Sequence, residues 1–189
     1  MRIVLASKSP RRRELLSVIG IDDFEIVPAV GEEKLEAGLS PAEAVSSLAE
    51  QKAREVFAKC SDALVIAADT LVFLNGIPLG KPKNEADAYN MLYALSGRCH
   101  SVYTGVALMR DGKCLTDAVK TDVYFKPMTD DEIWAYIKCG EPMDKAGAYG
   151  AQGLGSIFIE RIDGDFFNVM GLPLSKLYGM LGDIGYKLI

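Results

Sequence analysis

Histidine is nearly absent from this chain and cysteine is sparse: there is one histidine, His100, and there are four cysteines, at 60, 99, 114 and 139. No two cysteines form a CxxC pair, and His100 has no partner ligand three or four residues away, so the spacing of a structural zinc site is missing. Scattered thiols fit a reducing compartment. A catalytic Cys99–His100 pair is disfavoured, because adjacent residues of a strand point to opposite faces. Long apolar runs are lacking too. The longest near the middle, Ala63–Ala68, falls far short of the roughly 20 residues a spanning helix needs. At the start only Ile3–Ala6 is apolar before Lys8 and Arg11, which predicts no secretory segment, no membrane partner and a cytoplasmic protein. Positive charge is not in excess: 21 Lys and Arg stand against 26 Asp and Glu, a net −5, which argues against a stable nucleic-acid partner. There is no repeat, low-complexity tract or Ser/Pro linker. With 49% apolar and 25% charged residues in 189, disorder is excluded and one α/β domain, 1–189, is expected.

What is present reads as alternating strands and helices. Arg2–Ala6 is a short buried strand, and Ser9-Pro10 opens a helix, serine as N-cap, that Gly20 closes. Phe24–Val27 is a second strand, followed by the acidic loop Gly31–Lys34. Ser40-Pro41-Ala42-Glu43 is a capping box that starts a helix running to about Lys59. Ala63–Ala68 is a buried strand, and Leu71–Leu74, Asn75-Gly76 and Ile77–Leu79 form a hairpin. Asn84 caps a helix that ends at Gly97. Two long strands, roughly 100–109 and 114–125, meet at Asp111-Gly112, and Thr129–Glu132 is a second capping box. A glycine-rich loop spans Gly147–Gly155. After it come a strand at Ile157–Arg161, a short strand near Phe167 and a helix from Pro173. This pattern implies an elongated mixed β-sheet flanked by helices, with two lobes around a cleft.

Functional signals lie where good folding practice is broken. Arg11-Arg12-Arg13 opposes the dipole at a helix start, costing about 0.3–1 kcal/mol per residue. At 100° per residue Arg12 falls on the inward stripe of Leu15, Leu16 and Ile19, beside unsatisfied helix N–H groups, where a phosphate would fit. Ser7 and Ser9 add hydroxyls in the same strand-to-helix turn, and Arg13 flanks it. The alternative is a solvated basic turn. Lys52 lies inside the apolar stripe of Val45, Leu48 and Val56; it either snorkels to solvent or aims its ammonium at an anion. Lys81, in Gly80-Lys81-Pro82, poses the same choice. Asp69 ends the run Ala63–Ala68, and a carboxylate at the C-terminal end of a central strand points to catalysis or metal binding. Glu33, with Glu32 as second choice, could supply another carboxylate, and oxygen ligands favour Mg²⁺ or Mn²⁺. In the glycine-rich loop, Gln152 alone can both donate and accept a hydrogen bond, as reading a base requires.

Taken in order, the motifs resemble the Maf family of nucleoside triphosphate pyrophosphatases. The resemblance is carried by Ala6–Leu16, Glu33, Gln51-Lys52-Ala53, Ala67-Ala68-Asp69-Thr70, Gly80-Lys81-Pro82, Leu95–Arg98 with His100, Thr104-Gly105-Val106 and Asn168–Pro173, nearly the whole chain. It implies a Maf/Ham1-like fold with a deep cleft, often a homodimer, and a divalent-metal-dependent enzyme that splits a nucleoside triphosphate into monophosphate and pyrophosphate. In the family the aspartate matching Asp69 is the general base. The identities matching Arg12, Thr70 and Gln152 mark the branch acting on dTTP and UTP, including modified pyrimidine nucleotides. Ser7, Ser9, Arg13, Lys52 and Lys81 are then phosphate ligands, and Glu33 and Asp69 the metal candidates. Competing expectations are a preference for other nucleotides such as 7-methyl-GTP, and a nucleotide-sensing regulator of division without turnover.

Overall fold

The computed structural model describes residues 1–32, 34–35 and 38–189. Its strands, numbered along the chain, are β1 (Ile3–Leu5), β2 (Glu25–Ile26), β3 (Leu64–Leu74), β4 (Ile77–Leu79), β5 (Cys99–Arg110), β6 (Lys113–Phe125) and β7 (Ile159–Asp163). The helices are α1 (Pro10–Val18), α2 (Pro41–Phe57), α3 (Glu85–Leu95), α4 (Asp130–Lys138), α5 (Phe166–Met170) and α6 (Leu174–Asp183). The strands make a seven-stranded mixed sheet of order β2-β1-β3-β5-β6-β7, with β4 paired to β3. The expected mixed α/β class is what the chain forms.

Two compact units divide the chain. The first comprises Met1–Asp69, Thr104–Val119 and Gly171–Ile189. In it β1 runs parallel to β2 and to β3, with Leu5 opposite Ile26 and Ile66. Strand alternation puts Val4, Ala6, Val65 and Ala67 on one face. There they pack with Ala49, Ala53 and Val56 of α2 and with Ala107 and Met109. Helix α2 starts as its sequence requires: the Ser40 hydroxyl accepts from Glu43 N at 3.4 Å, and Glu43 Oε2 accepts from Ser40 N at 2.8 Å. Gly105 sets how near α2 lies to β5, since a Cβ there would overlap the Val45 carbonyl.

The second unit comprises Thr70–Tyr103 and Lys120–Met170. Leu92 and Leu95 of α3, Ile133 and Ile137 of α4, and Val72, Val102, Phe125, Tyr149 and Phe158 build its core. The hairpin of β3 and β4 turns at Asn75 (φ 52°) and Gly76 (φ 80°), the left-handed pair an Asn-Gly turn supplies.

Four local expectations need correction. Strand β3 does not stop at Ala68 but continues to Leu74, because Asp69 and Thr70 are neither glycine nor proline and their backbone groups can stay in the extended ladder. The segment near Phe167 is the helix α5 rather than a strand; Asp165 Oδ1 accepts from Phe167 N at 2.8 Å at its start, and the buried Asn168 amide donates to the Val102 carbonyl at 3.0 Å. The strand placed at Ile157 begins at Ile159, after a 3₁₀ turn over Leu154–Phe158. Ser9 occupies the N-cap position without a side-chain cap bond; its own N–H donates to the Ser7 hydroxyl at 3.2 Å, so the turn is closed by Ser7.

Candidate functional site

Residues singled out in the sequence meet at two places in the first unit. At the first, β1 delivers Ser7, which is buried, into the turn before α1. Its Oγ accepts from Arg12 Nη1 at 3.1 Å, and Arg12 Nε donates to the Gly171 carbonyl at 2.8 Å. The inward register expected for Arg12 is therefore real. A planar guanidinium held at two points loses little further freedom when it meets an anion. Gly171 has φ 107°, a backbone conformation that glycine adopts at low cost, and this places its carbonyl.

At the second, Lys52 Nζ lies 2.5 Å from Asp69 Oδ1, the two side chains being 17% and 11% exposed. Period-two alternation along β3 sets Asp69 on the face of Val65 and Ala67, under α2. Helical spacing puts Lys52 on the α2 stripe with Leu48, Ala49 and Val56. Both side chains are largely but not wholly buried, and each charge offsets the cost of burying the other. Leu5 pairs with Ile66, so Ser7 and Asp69 both lie beyond the C-terminal end of the paired parallel segment, where α/β sheets bind ligands.

The remaining candidates are placed differently. Arg13 is exposed on α1, and Ser9 is half-buried and contributes its backbone N–H. Thr70 follows Asp69 in β3, half-buried and on the alternate face of the strand. Lys81 is exposed in the loop after β4, and Gln152 is exposed in the glycine-rich segment. Glu33, the expected metal ligand, lies outside the described residues; Glu32 is exposed. Among the described residues no group of three or more His, Cys, Asp or Glu could hold a metal ion. The donor chemistry still fits a magnesium-like ion, which takes one or two carboxylates and completes its shell with substrate phosphates and water. Asp69 is the described carboxylate of that kind.

Three features were missed. The Gly171 carbonyl gave no signal, since a backbone acceptor has no side-chain signature. The glycines of 147–155 suggest, by composition alone, room for a ligand or a flexible turn. Instead Gly150, Gly153 and Gly155 make room for Glu141, Lys145 and Tyr136. His100 belongs to the core: its Nε2 lies 2.8 Å from the Tyr149 hydroxyl, and its ring packs edge-on to Phe125 at 4.9 Å. Burial pushes its pKa down to about 4, Asp122 opposing weakly. Cys99 is exposed, so the two are separated as strand alternation demands.

The chain is an α/β protein: a mixed sheet flanked by helices, with charged residues gathered past the ends of its parallel strands. The fold is that of a solved HAM1 protein from Coxiella burnetii, which aligns over 97% of this chain and 99% of its own with a TM-score of 0.56 at 20% identity. The Maf-like protein family matches residues 2–184, and the chain belongs to that family. Among its relatives, a dTTP/UTP pyrophosphatase of Caldicellulosiruptor bescii is 52% identical over 195 residues, covering 100% of this chain and 97% of the relative. Proteins of the same name from Carboxydothermus hydrogenoformans and Clostridium novyi are 50% and 49% identical, covering 98% and 100% of this chain and 100% of each relative. No helix among the described residues is long and apolar enough to cross a membrane.

Proposed function

We propose that this protein is a nucleoside triphosphate pyrophosphatase that hydrolyses dTTP and UTP, and modified pyrimidine nucleotides, to the monophosphate and pyrophosphate. The observation that carries this reading is the Asp69–Lys52 pair at 2.5 Å beyond the parallel strand ends, in a chain about half identical along its length to proteins named for that reaction. Residues 1–189 act as one catalytic domain.

In the reaction water attacks the α-phosphorus, the bond to the β-phosphate oxygen breaks, and pyrophosphate departs. Asp69 accepts the proton of the attacking water. Lys52 orients that carboxylate before substrate arrives and offers its ammonium to the phosphates. Ser7, Ser9, Arg12 and Arg13 hold the phosphate chain, whose charge of about −4 calls for several cations. Lys81, Thr70 and Gln152 are assigned by the family resemblance, Lys81 to phosphate and the other two, with Arg12, to selectivity. Asp69 and Glu33 are the residues that would hold Mg²⁺ or Mn²⁺. When bound, such an ion neutralises phosphate charge and makes a water more acidic.

The test is pyrophosphate release from a panel of triphosphates with Mg²⁺ or Mn²⁺, wild type beside Asp69→Asn. Turnover confined to dTTP and UTP, and lost in a folded Asp69→Asn variant, is the expected result. Tight nucleotide binding without turnover of any triphosphate would overturn it in favour of a sensing role. Turnover of 7-methyl-GTP alone would overturn the pyrimidine assignment.

A further inference from the structure

We infer that Glu141 is a positioning residue for nucleobase selection: with Tyr136 it clamps the glycine-rich segment 150–155 and fixes the place of Gln152 at its exposed apex. The inference rests on the reading of Gln152 as a base-recognising side chain.

The clamp is built from the end of α4. Gly140, at φ 80°, reverses the chain into a 3₁₀ turn that begins at Glu141. Glu141 Oε1 accepts from the Tyr136 hydroxyl at 2.8 Å and from Gly155 N at 3.2 Å, and Oε2 accepts from Leu154 N at 2.9 Å. The Tyr136 oxygen in turn accepts from Gly150 N at 3.0 Å. The backbone is thus held on both sides of residues 151–153 by two side chains, and Gln152 stands exposed between the anchors. The glycines serve this arrangement. A Cβ at Gly153 would overlap the Glu141 carboxylate, one at Gly155 would come 2.5 Å from the Tyr136 oxygen, and one at Gly150 would come 2.9 Å from Glu141 Oε1. Lys145 donates to the Glu141 carbonyl at 2.8 Å, tying down the turn that carries it. Burial raises the pKa of Glu141, but the bonds from Tyr136, Gly155 and Leu154 outweigh it and hold the carboxyl below its ordinary range. An ionised acceptor makes stronger bonds to backbone N–H groups than a neutral one.

A segment with glycines at 150, 153 and 155 has a large conformational entropy when unanchored. Ordering it would then draw on the binding free energy of every substrate that uses Gln152. Selectivity should therefore depend on Glu141 although Glu141 touches no substrate.

The experiment measures kcat and KM for dTTP, UTP and CTP in the full-length wild type, Glu141→Gln, Tyr136→Phe, Gln152→Ala and the double variant Glu141→Gln/Gln152→Ala. We expect Glu141→Gln to raise KM for dTTP and UTP about 10-fold, with kcat changed less than about 3-fold and the UTP-over-CTP preference reduced in step. In the Gln152→Ala background the same change should add less than about 2-fold, because the residues act as a unit. Tyr136→Phe, which removes one hydroxyl, should shift the preference in the same direction and decides the matter should Glu141→Gln fail to fold. A preference left intact in Glu141→Gln or Tyr136→Phe, or activity lowered equally for all three nucleotides, overturns the inference while a Gln152→Ala loss of preference leaves the base-reading assignment standing. Full preference in Gln152→Ala removes both.

Discussion

Asp69 shows how a single residue's position decides its chemistry. In the middle of β3, with a side chain 11% exposed, a lone charge would be costly to bury, and Lys52 at 2.5 Å offsets that cost. Removing the ammonium leaves a carboxylate short of its partner. Lys52→Met should lower kcat/KM by at least about 10-fold and cost about 1–3 kcal/mol of stability, read from steady-state kinetics and urea midpoints. Unchanged kinetics would mean that the pair is structural alone. Arg12 makes a sharper case, because its Nε and Nη1 engage two acceptors, Gly171 O and Ser7 Oγ. A lysine has one nitrogen and cannot span both. Arg12→Lys is expected to lose about 10- to 100-fold in kcat/KM while its melting temperature stays within a few degrees of wild type. Near-wild-type turnover in that variant would remove Arg12 from the proposed phosphate ligands. Lys52 and Arg12 were legible in the sequence for one reason: each cation sits on a stripe of apolar neighbours, where charge needs an explanation. Their pairings were less so, since Gly171 acts through its carbonyl and the ion pair joins positions 52 and 69 on different elements.

At the scale of elements, α2 and β5 approach each other closely at Gly105. Gly105 faces the Val45 carbonyl so closely that a Cβ would overlap it. The helix backbone can yield only by lifting Leu48, Ala49 and Val56 off the sheet. Gly105→Ala should therefore destabilise by about 1–3 kcal/mol in urea unfolding. An unchanged midpoint would show that α2 can shift freely. Since α2 carries Lys52, the same variant should also lose activity. Elements with local rules were legible: the capping boxes at Ser40 and Thr129 form as written, and the Asn75-Gly76 and Asp111-Gly112 turns adopt positive φ. Short elements were not. Two phenylalanines in α5 read as a strand, yet the segment is helical because Asn168 is anchored on Val102 and Thr121. The 3₁₀ turn before β7 carries a run, Leu154–Phe158, whose composition suits a strand equally well.

For the whole molecule the testable property is how stability follows pH. His100 is buried and neutral in the fold, with a pKa lowered to about 4, against about 6.5 in the unfolded chain. As pH falls below about 6.5 the unfolded chain takes up a proton that the folded chain does not. Stability is therefore complete above that value and is lost as pH falls toward 4, by up to about 1.4 kcal/mol per pH unit. Urea titrations between pH 7 and 4 should show this slope, and His100→Phe should flatten it. An equal slope in that variant would assign it to carboxylates. The sequence by itself determined the α/β class, the helix starts, the hairpin turns and the residue types that could meet a nucleotide, because period, capping and turn chemistry act over a few residues. It also carried the family, through motifs spread along the chain. Tertiary structure alone decided that Asp69 meets Lys52, that Arg12 hangs on the Gly171 carbonyl, and that Gly150, Gly153 and Gly155 pack against Glu141, Lys145 and Tyr136. Each of those joins groups distant in sequence, or uses the backbone, and such pairings exist only once the chain has packed.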